Sequence, residues 1–430
     1  MNADPSLDWF AEARFGMFVH WGVYALAARQ EWVMNVERIP ISAYSKYARH
    51  FDPDLFDPAQ WARSARMAGM TYVVLTTKHH DGFCLWDSDV TEYKSTNTPA
   101  GRDLVAEFVE AVRAEGLRVG FYYSLLDWHH PEFTIDGHHP RRDEDRAALD
   151  AENERRDMRV YRAYMRDQLT ELLGRYGAID YLFFDFSYEN DHNYPVWGAK
   201  GAQDWDSVGL MKLARELQPG ILINDRLDIP GDFVTPEQYQ PDKPMERDAH
   251  PVPWEACQTI NGRWGYLRDG KNIKTLDLLI RMLVDGVSKN GNLLLNVGPT
   301  GRGELDPVAV DTLDDIAKWM RLHDRSVRGC GASSFVPPPD ARYTQNGRRL
   351  YLHLFAWPLE NVHLAGLAGK VEYVQLLNDA SEILFREIPP DRAASTMGLG
   401  GQPAGTLTLT VPVIRPDVSV PVIEIFLSEP

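Results

Sequence analysis

The 430-residue chain contains only three cysteines, Cys84, Cys257 and Cys330. They are odd in number and far apart, so neither a disulfide framework nor a zinc site of closely spaced thiolates fits them, and reduced thiols are expected. Basic charge is also scarce: 45 Lys and Arg stand against 62 Asp and Glu, a formal net charge of −17. Binding to nucleic acid or to an anionic membrane needs clustered Lys and Arg, so neither partner is expected, and a neutral substrate fits better. No uninterrupted apolar run reaches 18 residues, and no basic segment followed by an apolar one opens the sequence; the expectation is a soluble, cytoplasmic protein. Internal repeats and low-complexity tracts are lacking. The glycine cluster Gly298-Pro-Thr-Gly-Arg-Gly303 has no phosphate-binding lysine and reads as turn chemistry.

What is present is apolar and aromatic. Hydrophobic residues make up 44% and aromatics 11%, including 12 tryptophans, enough for a sizeable core with aromatic surface left over for a ligand. Strand-like runs alternate with helical ones. The runs 17–24, 71–77, 118–124, 181–184, 221–226 and 293–299 read as strands. Helices are expected at 58–67, 103–115, 207–218, 276–288 and 307–323, and the charged stretch 141–157 reads as a loop that becomes a helix continuing to 176. Residues 227–275 look less regular. Six or seven strand–helix alternations over some 320 residues predict a parallel sheet, and at this length a closed (β/α)8-like TIM barrel is favoured over an open sheet.

The reactive side chains fall at one place in that plan. His20, His79, His80, Asp185 and Arg226 lie at or just past the C-terminal ends of different predicted strands, the face on which barrel enzymes carry their chemistry. Asp185 closes a run from Tyr181 to Phe184 that is apolar enough to be buried, where a carboxylate is costly unless it is used. It is the candidate nucleophile; alone it also fits a helix cap or a structural ion pair. Adjacent histidines on a strand face opposite ways, and there is no His-x-His pair or helical His-x-x-x-His, which argues against a metal-dependent barrel hydrolase.

From Phe335 the texture changes. Pro337-Pro-Pro339 marks a linker, and short β-branched runs at 350–355, 371–377, 406–411 and 422–427 read as a small antiparallel β-sandwich. The expected division is a catalytic barrel over 1–332 and a C-terminal sandwich over 333–430. The sandwich reads as a buttress for the barrel, with carbohydrate binding as the other reading.

The motifs Phe15-Gly-Met-Phe-Val-His-Trp-Gly22, Lys78-His-His-Asp-Gly-Phe83, Gly120-Phe-Tyr-Tyr123, the Asp185 strand, Trp254-Glu-x-Cys257 and Ser288-Lys-x-Gly-Asn-Leu-Leu-Leu-Asn-Val-Gly-Pro299 occur in this order. In this the chain resembles the α-L-fucosidases of glycoside hydrolase family 29 over nearly its full length. The resemblance implies a (β/α)8-like barrel with a C-terminal sandwich, no metal and no organic cofactor. It also implies a retaining double displacement that removes terminal α-L-fucosyl groups from oligosaccharides or glycoconjugates. Asp185 matches the family nucleophile. His20, Glu31, Trp32, His79, His80 and Tyr122 resemble residues that hydrogen-bond or stack on the fucose, and Arg226 resembles a cationic neighbour of the catalytic carboxyls. Two glutamates match the acid/base region: Glu237, 11 residues after Arg226, is preferred, with Glu255 of the Trp-Glu-x-Cys motif as the alternative. The run Phe183-Phe-Asp-Phe-Ser187 replaces the tryptophan and glycine often found around the family nucleophile. A fucose-binding protein without catalysis is the reading outside enzymes.

Overall fold

The computed structural model of the chain describes residues 5–188, 196–387 and 402–429. Seven short runs rich in Val, Leu, Phe and Tyr form one parallel sheet: β1 (Phe15–Val19), β2 (Tyr72–Lys78), β3 (Arg118–Ser124), β4 (Tyr181–Asp185), β5 (Leu222–Ile223), β6 (Trp254–Thr259) and β7 (Gly291–Val297). Their spatial order is β5-β4-β3-β2-β1-β7-β6. The longer helices are α1 (Pro5–Ala13), α2 (Pro58–Met67), α3 (Leu104–Ala114), α4 (Met158–Arg175), α5 (Ser207–Leu217), α6 (Leu276–Val287) and α7 (Pro307–His323). Asp57, Asp103, Asp157, Thr275 and Asp306 cap α2, α3, α4, α6 and α7 by accepting a backbone N–H of the first turn, each such cap contributing ~1 kcal/mol.

Inside the curled sheet, alternate residues stack from one end to the other. Phe18, Tyr72, Val74, Tyr122, Tyr181, Phe183, Cys257 and Leu294 share an inner cluster with Phe10 of α1. Gly16 is glycine because a Cβ there would lie 2.4 Å from the ring of Tyr72. Along β4 the inward positions are Tyr181, Phe183 and Asp185, so the strand's period of two carries the last of them to the C-terminal mouth.

The structure departs from the sequence reading in several places. Closure of the sheet as an eight-stranded barrel is not made by a continuous ladder among the described residues. Residues 233–237 instead form single parallel bridges, Asn224 with Phe233 on one side, and Val234 with Trp254 and Glu237 with Cys257 on the other. β5 ends at Ile223 rather than 226, because the side-chain amide of Asn224 takes the place of the ladder: its Oδ1 accepts from Phe184 N–H at 3.0 Å and its Nδ2 donates to Phe184 C=O at 2.9 Å. The less regular region holds a buried strand, β6, and the chain opens with helix α1. The helix expected to run on from the charged stretch is broken: residues 146–153 form a separate helix, and Asp157 starts α4 anew.

Beyond α7, the strands β8 (Ala341–Asn346), β9 (Arg349–Leu354), β10 (Asn361–Leu364), β11 (Val371–Leu376), β12 (Leu384–Glu387), β13 (Leu407–Thr410) and β14 (Val422–Leu427) are antiparallel. They make a four-stranded sheet, β8-β9-β14-β11, and a three-stranded one, β10-β13-β12, whose inner faces share one core. Buried Glu424 of β14 ties this unit back by accepting from Arg325 at 2.6 Å, and Trp319 of α7 donates to Ser419 C=O at 2.7 Å. The three cysteines are free, and among the described residues no helix is long and apolar enough to cross a membrane.

Candidate active site

At the C-terminal mouth of the sheet lies a pocket of about 490 Å³ whose lining includes His20, Glu31, Trp32, His79, His80, Tyr122, Asp185, Arg226 and Glu237. The sequence-predicted residues therefore come together, with the single exception of Glu255. Asp185 Oδ2 accepts from the Tyr122 hydroxyl at 2.8 Å, and Oδ1 accepts from Arg226 Nη1, also at 2.8 Å. The same nitrogen donates to Glu237 Oε2 at 2.7 Å. Distances of 2.8 and 2.7 Å to one shared nitrogen keep those two oxygens no farther apart than about 5.5 Å, which excludes the wider spacing of about 6.5–9.5 Å for that oxygen pair and favours the close carboxyls of retaining glycosidases. Arg226 reaches this position because the chain leaves the ladder at Asn224 and its guanidinium rests 5.0 Å above the Phe183 ring.

Burial pushes the Asp185 carboxyl above its ordinary range. The Arg226 charge and its hydrogen bond, with that of Tyr122, oppose the shift, and the Glu237 charge adds to it. Arg226 beside Asp185 helps to keep it ionised, but desolvation outweighs that help. The guanidinium, held between two carboxylates, titrates well above its usual value despite its own burial.

The histidines are neutral and oriented. Burial drives His20 down to about 3 and holds His79 and His80 well below their usual value. His20 Nδ1 lies 2.6 Å from Asn296 Oδ1, while Asn296 Nδ2 donates to Trp264 C=O. That fixes the amide, so His20 donates through Nδ1 and keeps Nε2 as an acceptor. His80 Nδ1 pairs with Ser124 Oγ at 2.7 Å, and the serine hydroxyl is already committed to Leu126 C=O, so His80 has the same tautomer. Its Nε2 lies 3.9 Å from Asp185 Oδ2. His79 and His80 do not face opposite ways: β2 stops at Lys78, and past its end both rings, 4.0 Å apart, line the pocket. His79 Nδ1 is buried with no hydrogen-bond partner among the described residues. Glu31 Oε2 accepts from Gly265 N–H at 2.7 Å, and burial raises its pKa. Half-buried Trp32 meets His80 edge-on at 5.0 Å. Neutral imidazoles with bare Nε2 atoms, a glutamate and an indole suit ring hydroxyls and an apolar sugar face.

Glu255 sits elsewhere. It is fully buried, its oxygens accept from the Tyr72 and Tyr181 hydroxyls, and it does not line the pocket. The period of β6 explains this: Cys257 lines the pocket, and Glu255, two residues earlier, lies one layer deeper in the sheet interior. Sequence reasoning missed Trp264, Gln30 and Arg263, which line the pocket together with Phe186. Trp264 lies 5.1 Å from the His20 ring; its only signal was an aromatic in the Asn-Gly-Arg-Trp-Gly loop. No group of three or more His, Cys, Asp or Glu side chains that could hold a metal ion occurs among the described residues.

The alpha-L-fucosidase family model matches residues 1–325. The tissue alpha-L-fucosidase of Mus musculus is 28% identical, the match covering 91% of this chain and 90% of the relative; that of Bos taurus is 30% identical over 82% and 77%. Alpha-L-fucosidase isoenzyme 1 from Paenibacillus thiaminolyticus superposes with a TM-score of 0.89 at 42% identity, covering 99% of both chains. A family 29 alpha-L-fucosidase from Bacteroides thetaiotaomicron, trapped as a covalent intermediate with 2-fluoro-fucosyl fluoride, gives 0.83 at 28% identity, covering 100% of this chain and 97% of that one. With a matching fold over its whole length and paired carboxylates in the mouth of the sheet, the chain belongs to the alpha-L-fucosidase family and is a glycoside hydrolase.

Proposed function

We propose that Asp185 and Glu237 carry out a retaining double displacement on terminal α-L-fucosyl groups of oligosaccharides or glycoconjugates. An Asp185 oxygen attacks the anomeric carbon as the bond to the leaving oxygen breaks, and Glu237 gives its proton to that oxygen. Glu237 then takes a proton from water, the water oxygen attacks the anomeric carbon, and the ester to Asp185 breaks to return the carboxylate. Tyr122 and Arg226 hold Asp185 in place, and Arg226 stabilises it as the leaving carboxylate of the second step. His20, His80, His79 and Glu31 read the ring hydroxyls, with Trp32 against the sugar. The observation that carries the reading is the single Arg226 nitrogen bridging Asp185 and Glu237. We further read the curled sheet as a (β/α)8-like barrel over 1–332, with a β-sandwich over 333–430 as its buttress.

Asp185→Ala tests the nucleophile. Hydrolysis of a chromogenic α-L-fucoside falls by at least about 10³-fold, and azide restores turnover as the β-fucosyl azide, because the small anion enters from the side the carboxylate vacated. Recovery of the α-azide, or activity left intact, would overturn the assignment.

A further inference from the structure

Lys78 opens the motif that carries His79 and His80, yet it does not line the pocket. By the period of two along β2, its side chain would follow those of Tyr72 and Val74 into the sheet interior. The register prevents that. β2 pairs with β3 from Tyr72 opposite Arg118 to Thr76 opposite Tyr122, then slips by one residue, so that Lys78 stands opposite Tyr123. Such a bulge re-aims the side chains that follow it. Lys78 turns outward with Tyr123, toward α4, and is completely buried there.

Its ammonium donates to the Tyr123 hydroxyl at 3.1 Å and to Asp127 Oδ2 at 3.4 Å. It also lies 4.2, 5.7 and 5.5 Å from the ring centres of Tyr123, Tyr161 and Tyr164. Asp127 is buried as well, and its Oδ1 accepts from the backbone N–H groups of His129 and His130 at 3.0 and 2.9 Å. Burying two charges for one contact at 3.4 Å does little for stability, since apolar side chains of similar size commonly serve a fold as well or better. Neither residue lines the pocket, so contact with substrate does not account for the pair either.

What the pair joins is the end of β2 and the turn after β3, and these two segments hold His80. Trp128, next to Asp127, donates its backbone N–H to His80 C=O at 2.8 Å and sets its ring 5.5 Å from the imidazole. Ser124, the last residue of β3, meets Nδ1 at 2.7 Å. Gly82 has a φ of 79°, and a Cβ there would collide with Asp127 Oδ1, so the turn after His80 is packed on the same carboxylate. His80 Nε2 is thereby left 3.9 Å from Asp185 Oδ2.

We infer that Lys78 and Asp127 form a buried clamp that positions the His80 imidazole beside the nucleophile, without touching the substrate themselves. The inference deepens the fucosidase reading above and rests on it. His80 reads a ring hydroxyl only while its Nε2 keeps its place, and a shift of about 1 Å at such a contact costs up to about 10²-fold in rate.

The test replaces both charges at once, so that neither is left buried alone. In Lys78→Met/Asp127→Asn the methionine fills the tyrosine-lined space, and the asparagine oxygen still accepts from both backbone N–H groups. The full-length variant should unfold in urea at or above the wild-type midpoint, while its kcat/KM for an activated aryl α-L-fucoside falls by about 10- to 100-fold. A merely structural role would do the reverse, lowering the midpoint and sparing the kinetics of the folded enzyme. In a His80→Ala background the same two changes should alter kcat/KM by no more than about twofold, because the group they position is gone. Asp127→Asn alone turns an amide N–H toward the ammonium and breaks the same link, and it goes through the same cycle if the double variant does not fold. An unchanged kcat/KM, or a loss that persists in the His80→Ala background, would overturn the inference and leave the fucosidase reading standing. Failure of the wild type to turn over the fucoside would overturn that reading itself.

Discussion

The nitrogen of Arg226 shared by Asp185 and Glu237 sets the acid side of the pH profile. Asp185 acts as a carboxylate, and its raised pKa places the acid limb of kcat/KM above the ordinary 3.8. Arg226 opposes that rise, because a positive neighbour favours the ionised form. Removing it in Arg226→Leu leaves only the Tyr122 hydrogen bond against burial and the Glu237 charge, so the acid limb moves to higher pH. A limb that stays in place or moves down would show that Asp185 is not the group it reports. The two glutamates separate by the same kind of measurement. Glu237→Gln should lower kcat/KM by about 10²–10⁴-fold for a poor leaving group that needs a proton, and by much less for an activated aryl fucoside. Glu255→Gln keeps both tyrosine hydroxyls partnered and lies outside the pocket, so its kcat/KM should stay within roughly tenfold of wild type, well short of a general-acid loss. The opposite pattern would make Glu255 the acid/base.

At the scale of the strand, Asn224 explains how a buried sheet edge frees a catalytic arginine. Its amide satisfies both backbone groups of Phe184, the residue before Asp185. Asn224→Leu leaves that N–H and C=O buried without those partners, at about 1–3 kcal/mol each. It should lower the urea midpoint and also kcat/KM, since β4 carries the nucleophile; a midpoint matching wild type would refute the role. Such a substitution of side chain for ladder is invisible in the sequence, where residues 221–226 simply read as one strand. The strands β1 to β4 were legible because their apolar runs are long and their polar residues collect at one end. β6 was not, since Trp254-Glu-Ala-Cys-Gln-Thr259 has a charged residue at its second position. That charge is buried because two tyrosines from β2 and β4 meet it, a contact set by tertiary packing alone. The site was legible wherever a residue followed a recognisable strand, and Trp264 was missed because a loop residue has no period to reveal where it points.

At the scale of the whole molecule, Glu255 links the interior of the sheet to the pH dependence of folding. Burial raises its pKa from 4.5 to about 7, and the two tyrosine hydroxyls only partly offset this. Between those values the folded chain holds a proton that the unfolded chain has released. The stability this group contributes is therefore fully present below about 4.5 and is lost as pH rises through about 7, a change on the order of 3 kcal/mol. Buried histidines act in the opposite direction: His20 and His353 are pushed down to about 3, and His139 and His323 to about 4. Their folded values lie below 6.5, so their contribution is present above that pH and is lost as pH falls toward 3–4. The two effects overlap in mildly acidic solution, and a stability curve of the wild type alone would mix them. Glu255→Gln separates them, since the amide keeps both tyrosines partnered, accepting from one hydroxyl and donating to the other, but cannot titrate. The difference in unfolding free energy between variant and wild type, from chemical denaturation at pH 4.5 to 8, should grow in the variant's favour as pH rises and level off above about pH 7. A difference that does not vary with pH would mean that Glu255 does not hold its proton in the folded protein.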